Sequence, residues 1–328
     1  MDAQTWFLLI AGLALLIVGG ELLVRGASRL AGALGVPAVV IGLTVVAFGT
    51  SAPELAVSLD AALRGNADIA LSNVVGSNIF NLLFILGVSA LISPLIIHSQ
   101  MIQREVPVMV AVAAVLYFMS FGGILGRIEG ILLIAACIAY TGWLVKEALS
   151  HKRENRELEL EAEKEFAPSP KGSGPILASI GFVIVGLAVI MFGADYLVEG
   201  AVKLARSLGV SDTVIGLTIV AAGTSLPEVV ASIIATIKGE RDIAVGNVVG
   251  SNIYNIVAIA GITASLTPGG LSVAPQLLSI DMPFMIAASV VCFAFFWTGK
   301  KLSRLEGLAL LLMYVGYTTY LVMQAQAA

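Results

Sequence analysis

Charge is scarce in this chain. Asp, Glu, Lys and Arg make up 12% of its 328 residues, about half the quarter usual in soluble domains. Aromatic residues reach only 7%, and there are two cysteines and two histidines. Cys137 and Cys292 both lie inside apolar runs, so they read as small core residues and exclude a disulfide framework. His98 and His151 flank loops, and no C-x-x-C, H-E-x-x-H or H-x-E pattern occurs. A metalloprotease or redox enzyme would lack its ligands. The net charge of −4 comes with no basic stripe, which excludes nucleic acid as a partner.

What the chain has in abundance is apolar surface. The residues AVILMFWYC make up 58%, and mean hydropathy is +0.98. One soluble core of this size could not bury that much, so the chain is expected to be an all-α integral membrane protein. Stretches of about 20 apolar residues, the length that crosses a bilayer, fall near 5–28, 37–64, 69–93, 105–122, 127–148, 176–203, 212–238, 243–267, 281–298 and 304–323. The first has no basic leading region and is too long for a signal peptide. The existing charge is concentrated: seven of 22 acidic residues lie between Glu147 and Glu165. That acidic run, with the Pro/Gly/Ser-rich segment after it, forms a linker over 151–175 between a first half, 1–150, and a second, 176–328. The linker reads as a solvated, partly helical connector, and it lacks the D-x-D-x-D-G pattern of an EF-hand loop.

The two halves are copies. A shift of 174 residues aligns Ile41–Asn81 with Ile215–Asn255, and 25 of those 41 positions are identical. The same shift carries Glu21 onto Asp195. This is an internal duplication. Five spans per copy is an odd number, so the second copy inserts upside down. With the N-terminus outside, 14 of the Lys and Arg residues fall on cytoplasmic segments and four (Arg64, Arg127, Lys203, Arg206) outside. The positive-inside rule then places both termini outside and the linker in the cytoplasm.

The repeated segments carry the chemistry. IGLTVVAFGTSAPE matches IGLTIVAAGTSLPE, and NVVGSNIFN matches NVVGSNIYN. Pro53 and Pro227 lack an N–H and clash with the carbonyls of Gly49 and Gly223. The backbone near Ala47–Thr50 and Ala221–Thr224 is therefore expected to open. Glu54 and Glu228 start the resumed helices, where the positive dipole end favours a carboxylate. Each glutamate costs at least a few kcal/mol near mid-membrane (~3 kcal/mol on insertion scales), and one occurs in each copy. Helical spacing puts Thr50, Glu54 and Ser58 on one face, and Asn73, Ser77 and Asn81 on another. The second copy repeats this with Thr224, Glu228 and Ser232, then Asn247, Ser251 and Asn255. Two carboxylates among hydroxyl, amide and carbonyl oxygens suit a hard cation, Ca2+ best, with Na+ able to use the same oxygens. Paired broken helices in inverted repeats are the way many secondary transporters build a midplane site.

These motifs closely resemble the alpha repeats of the Ca2+/cation antiporter superfamily, and the chain is similar over essentially its whole length to prokaryotic sodium/calcium exchangers. The resemblance implies a prokaryotic plasma-membrane antiporter, not an enzyme, with no cofactor beyond its transported ions, Ca2+ and Na+. It implies Glu54 and Glu228 as central ligands, backbone carbonyls from Ala47, Thr50, Ala221 and Thr224, and further oxygens from Ser51, Ser77, Ser225 and Ser251. Asn81 and Asn255 would complete the site. It also makes the first and sixth spans sliding gate helices. Some relatives, potassium-dependent exchangers among them, carry Asp where this chain has Asn255. The asparagine argues against potassium dependence and leaves Na+ and H+ open as coupling ions.

Several readings compete. A proton-coupled Ca2+ exchanger would use the same glutamates, and a passive cation channel would need a continuous pore. An intramembrane enzyme lacks a nucleophile–His pair in the spans. Ser77, Ser251 and the asparagines have helix-to-helix hydrogen bonding as an alternative role. Gly49, Gly76, Gly223 and Gly250 are expected to permit close packing rather than touch an ion. Asp60 is expected to pair with Arg64 near an interface, and Glu21 and Asp195 to anchor span ends or tune gating.

Overall fold

In the computed structural model the described residues are 3–162, 174–208 and 221–327. They are nearly all helical, and nine of their helices are long and apolar enough to cross a membrane. We number the helices α1 (Ala3–Leu34), α2 (Ala38–Leu63), α3 (Ala67–Ile92), α4 (Met101–Gly122), α5 (Arg127–Ala148), α6 (Ile176–Ser207), α7 (Leu226–Ile237), α8 (Arg241–Leu266), α9 (Leu277–Gly299) and α10 (Arg304–Gln324). The chain is a multi-pass membrane protein. Of the seventh expected span, 212–238, the part before Ala221 lies outside the described residues. The α5 helix continues to Ala162, so the first half of the expected linker is helical. Residues 163–173 lie outside the described residues.

Position in the bundle decides which helices meet lipid. The most apolar window of α8 is buried throughout, whereas only 11% of that of α10 is. Many exposed side chains of α1 and α10 are large and apolar, including Trp6, Phe7, Ile10, Leu305 and Leu312. In a bilayer such a surface is matched to its solvent.

Helices α1 and α6 extend further than the sequence suggested, to 32 residues each, or about 48 Å at 1.5 Å per residue. A helix that long must tilt to fit a layer about 30 Å thick. The two run antiparallel in intimate contact. A Cβ on Gly19 would lie 2.7 Å from the backbone nitrogen of Ile190, and one on Gly186 would lie 2.5 Å from that of Leu23. Gly12, Gly19 and Gly26 recur every seven residues, as do their copies Gly186, Gly193 and Gly200, and a Cβ on any of the six would lie within 3.0 Å of an atom of the opposite helix. Small residues at such a seam let backbones meet within the membrane. The antiparallel register is what an inverted duplication requires.

Two features were not visible in the sequence. First, α4 and α9 begin four residues earlier than expected, in π-helical turns at Met101–Glu105 and Leu277–Asp281 just before Pro107 and Pro283. Each turn carries a carboxylate held by a tyrosine: Tyr140 Oη donates to Glu105 Oε2 at 2.6 Å, and Tyr317 Oη to Asp281 Oδ1 at 2.8 Å. Second, four short strands close the two ends of the bundle. They are β1 (Leu95–Ile96), β2 (Ile124–Leu125), β3 (Leu271–Ser272) and β4 (Lys301–Leu302); β1 pairs with β4 and β2 with β3, both antiparallel.

The strand pairs sort the loops into two faces. The β1·β4 end also holds His98 Nε2 3.1 Å from Asp242 Oδ2, and Arg241 donating to Ser93 Oγ at 3.1 Å. Arg104 pairs with Glu147, and Lys238 Nζ lies 2.9 Å from Glu21 Oε1. Glu21 thus ties α1 to the end of α7. Arg127 donates to the Ser265 carbonyl on the other face. The exposed Arg64–Asp60 pair forms at 2.8 Å, as expected. Both cysteines are free.

The α1–α6 seam makes a direct prediction. Gly186→Ala should lower the stability of the purified protein by about 1–3 kcal/mol through overpacking. Gly32→Ala, on α1 where a Cβ meets nothing within 4 Å, should stabilise it by about 0.5–1 kcal/mol. Thermal unfolding in detergent reads both; equal shifts would contradict the packing.

Candidate functional site

The proline effect is narrower than the sequence implied. Ala47–Thr50 remains helical, as does Ala221–Thr224. The break is a single residue in each copy: Ser51 (φ −82°, ψ 6°) and Ser225 (φ −89°, ψ 6°). Pro53 and Pro227 sit at the starts of the resumed helices, where a missing N–H costs least. The Ala47 carbonyl is accordingly not wide open: Ser51 N donates to it at 3.1 Å, Thr50 Oγ1 at 3.3 Å and Ser251 Oγ at 3.4 Å. Thr224 ends, and Ala221 begins, the corresponding turn of the second copy.

Each helix restart delivers a glutamate in its first turn. Glu54 is 1% exposed and Glu228 0%. Their hydrogen bonds cross between the copies: Ser51 Oγ donates to Glu228 Oε1 at 2.8 Å, and Ser225 Oγ to Glu54 Oε1 at 3.0 Å. Ser225 Oγ also lies 3.3 Å from Ser77 Oγ. The faces expected from helical spacing form, since Thr50, Ser58, Ser77, Asn81, Ser232, Asn247, Ser251 and Asn255 are all buried. Asn73 and Thr224 are half-buried. The site residues of both copies therefore converge, with α2, α3, α7 and α8 supplying them.

Asn73 and Asn247 brace the helices. Asn73 Nδ2 donates to Ser58 Oγ at 3.0 Å, and Asn247 Nδ2 to Ser232 Oγ at 2.9 Å. Asn247 Oδ1 lies 3.1 Å from Thr50 Oγ1 and shares that hydroxyl's single proton with the Ala47 carbonyl. Of the motif glycines, Gly49, Gly223 and Gly250 do sit where a Cβ would collide; at Gly250 it would lie 2.5 Å from the Leu43 carbonyl oxygen. Gly76 is the exception, with no neighbour within 4 Å of its Cβ position among the described residues.

Among the site residues, four buried acceptor oxygens are left without a hydrogen-bond partner: Glu54 Oε2, Glu228 Oε2, Asn81 Oδ1 and Asn255 Oδ1. Two come from each copy, at matched positions. A buried polar atom in this condition costs about 1–3 kcal/mol, more if charged. Acceptors without donors are a chemical match for a cation. Among the described residues no group of three or more His, Cys, Asp or Glu forms a metal cluster, so the charge here is that of two carboxylates amid neutral oxygens.

The family model of the sodium/calcium exchanger protein matches residues 4–146 and 178–323. The chain belongs to the sodium/calcium exchanger family. Its relatives include the sodium/calcium exchanger MaX1 of Methanosarcina acetivorans, 36% identical and aligned over 98% of this chain and 99% of that one. Another is the inner membrane protein YrbG of Escherichia coli, 37% identical over 88% of each. Among solved structures, the sodium-calcium exchanger NCX_Mj soaked with zero Na+ and Ca2+ superposes with a TM-score of 0.84 at 30% identity, covering 98% of this chain and 100% of that one. The fold is thus that of an exchanger, nearly all-helical with inverted repeats.

Sequence reasoning passed over Asn78 and Asn252. Both are 1% exposed and bonded across the copies. The signal was present, since both lie in the repeated GSNI segment, but helical spacing from Ser77 and Asn81 skips them.

The crossed serine–glutamate bonds should count equally. Ser51→Ala and Ser225→Ala are each expected to cost about 1–3 kcal/mol, the range for losing a hydrogen bond to a buried group. Equilibrium unfolding in mixed micelles measures this; a negligible effect of either one would show that its bond does not hold the glutamate.

Proposed function

We propose that this protein is a secondary antiporter exchanging Na+ for Ca2+, with both ions competing for one site built on Glu54 and Glu228. The observation that carries the reading is the set of four partnerless acceptor oxygens, two from each repeat. Around them Ser51, Ser77, Ser225 and Ser251 supply hydroxyls, and Thr50, Ala221 and Thr224 supply backbone carbonyls; the Ala47 carbonyl joins them when the Thr50 and Ser251 hydroxyls now donating to it turn away. Asn81 and Asn255 supply amide oxygens. An all-oxygen set with two negative charges suits Ca2+, whose coordination takes six to eight oxygens in flexible geometry. Family membership supports the choice of ions.

The mechanism is alternating access. An ion that neutralises the glutamates lets the gate pair, α1 and α6, slide past the site. Without one, two carboxylates would face hydrocarbon, and that cost blocks the unloaded passage. Exchange is then obligatory. The glycine seam between α1 and α6 supports their moving as one body. The two repeats, 1–150 and 176–328, are joined by the acidic segment 151–175. Both termini lie outside a prokaryotic plasma membrane and the joining segment lies in the cytoplasm, a reading supported by the Lys and Arg bias.

Proteoliposomes loaded with Na+ and diluted into Na+-free buffer test this. Ca2+ uptake should require the outward Na+ gradient and fall to background in Glu54→Gln and in Glu228→Gln. Uptake driven by a pH jump alone would make protons the coupling ion. Uptake indifferent to any counter-ion would indicate a passive channel, and transport retained in either variant would overturn the site.

A further inference from the structure

We propose that Asn78 and Asn252 are positioning residues that set which atom Asn81 and Asn255 turn toward the ion. This rests on the reading of Asn81 and Asn255 as ligands and adds the reason they present oxygen rather than NH2.

Two groups beside these amides have fixed polarity. A backbone carbonyl can only accept. Asn78 Nδ2 lies 3.1 Å from the carbonyl of Asn252, and Asn252 Nδ2 lies 3.3 Å from that of Asn78. The end of each amide aimed at a carbonyl must therefore be its nitrogen. The second proton of each finds a thioether: Asn78 Nδ2 is 3.7 Å from Met285 Sδ, and Asn252 Nδ2 is 3.8 Å from Met109 Sδ. With both nitrogens committed, the other ends are oxygens, which only accept.

The direction then passes to the site. Asn255 Nδ2 donates to Asn78 Oδ1 at 3.0 Å, and Asn81 Nδ2 donates to Asn252 Oδ1 at 3.1 Å. The remaining ends of Asn255 and Asn81 are their Oδ1 atoms, the same two oxygens that have no hydrogen-bond partner. Amide orientation is normally assigned from its surroundings; here two backbone carbonyls decide it for all four side chains. The arrangement also bears on charge. An ionised aspartate at 81 or 255 would have no proton to donate and would face an acceptor oxygen about 3 Å away. The network thus selects neutral oxygens there and limits the site to two carboxylates.

A double-mutant cycle on Na+-dependent Ca2+ uptake tests the proposal. Asn255→Ala should raise the Ca2+ half-saturation about tenfold by removing a ligand, with the maximal rate falling much less. Asn78→Ala should raise it similarly, because the Asn255 amide is then free to turn its NH2 inward. The double variant should be no worse than either single one, the non-additivity expected of residues acting as a unit. An unchanged half-saturation in Asn255→Ala would sink the ligand reading itself. A rise in Asn255→Ala with none in Asn78→Ala, or full additivity, would overturn the positioning role alone. Asn252→Ala against Asn81→Ala repeats the cycle on the other copy. Failure of both Asn78→Ala and Asn252→Ala to fold would make the ring architectural and overturn the proposal.

Discussion

Two carboxylates buried at matched positions inside a membrane bundle are the constraint on which the rest of this protein turns. A bilayer penalises each charge heavily, and neither Glu54 nor Glu228 has a basic side chain within ion-pair distance among the described residues. Their nearest help is polar and neutral: a serine hydroxyl from the opposite copy for each. Such partners hold a carboxylate's direction without cancelling its charge. In the proposed mechanism a cation supplies that compensation. The one-residue breaks at Ser51 and Ser225 do much of this work, placing the serine donor and the glutamate of each copy at a helix restart.

Duplication explains how a few sequence motifs organise so much. The crossed bonds join the polar residues of the two copies, and the glycine seam packs α1 against α6 in the antiparallel register that an inverted pair requires. The copies are not equal in their surroundings, however. The window of α8 is entirely buried, whereas 67% of that of its counterpart α3 is. Asn247 is likewise fully buried and Asn73 half-buried. A symmetric sequence thus sits in an asymmetric packing, which suits the proposed opening to one face at a time.

Much of this was legible in the residues. Hydropathy located the spans, the 174-residue repeat pointed to the buried polar residues that meet between the copies, and helical spacing placed Thr50, Glu54 and Ser58 on one face, as it did Ser77 and Asn81. Other features were not. Proline suggested an opening near 47–50 and 221–224, but a proline near a helix start needs only one non-helical residue, so the breaks fall at Ser51 and Ser225. The π-turns holding Glu105 and Asp281 lie at corresponding places, yet slightly out of the 174-residue register, which hid their relation. The strand pairs join segments more than a hundred residues apart and carry no local signal. Asn78 and Asn252 were missed because spacing identifies a face, whereas their importance lies in a bonding direction that only three-dimensional contact reveals.

The central claim is that Na+ and Ca2+ occupy the same set of oxygens. Equilibrium Ca2+ binding to the purified protein at increasing Na+ tests it most directly. The account predicts that Na+ raises the apparent Ca2+ dissociation constant progressively while the number of Ca2+ sites stays constant. Ca2+ affinity that is indifferent to Na+, or a loss of sites at unchanged affinity, would contradict a single shared site.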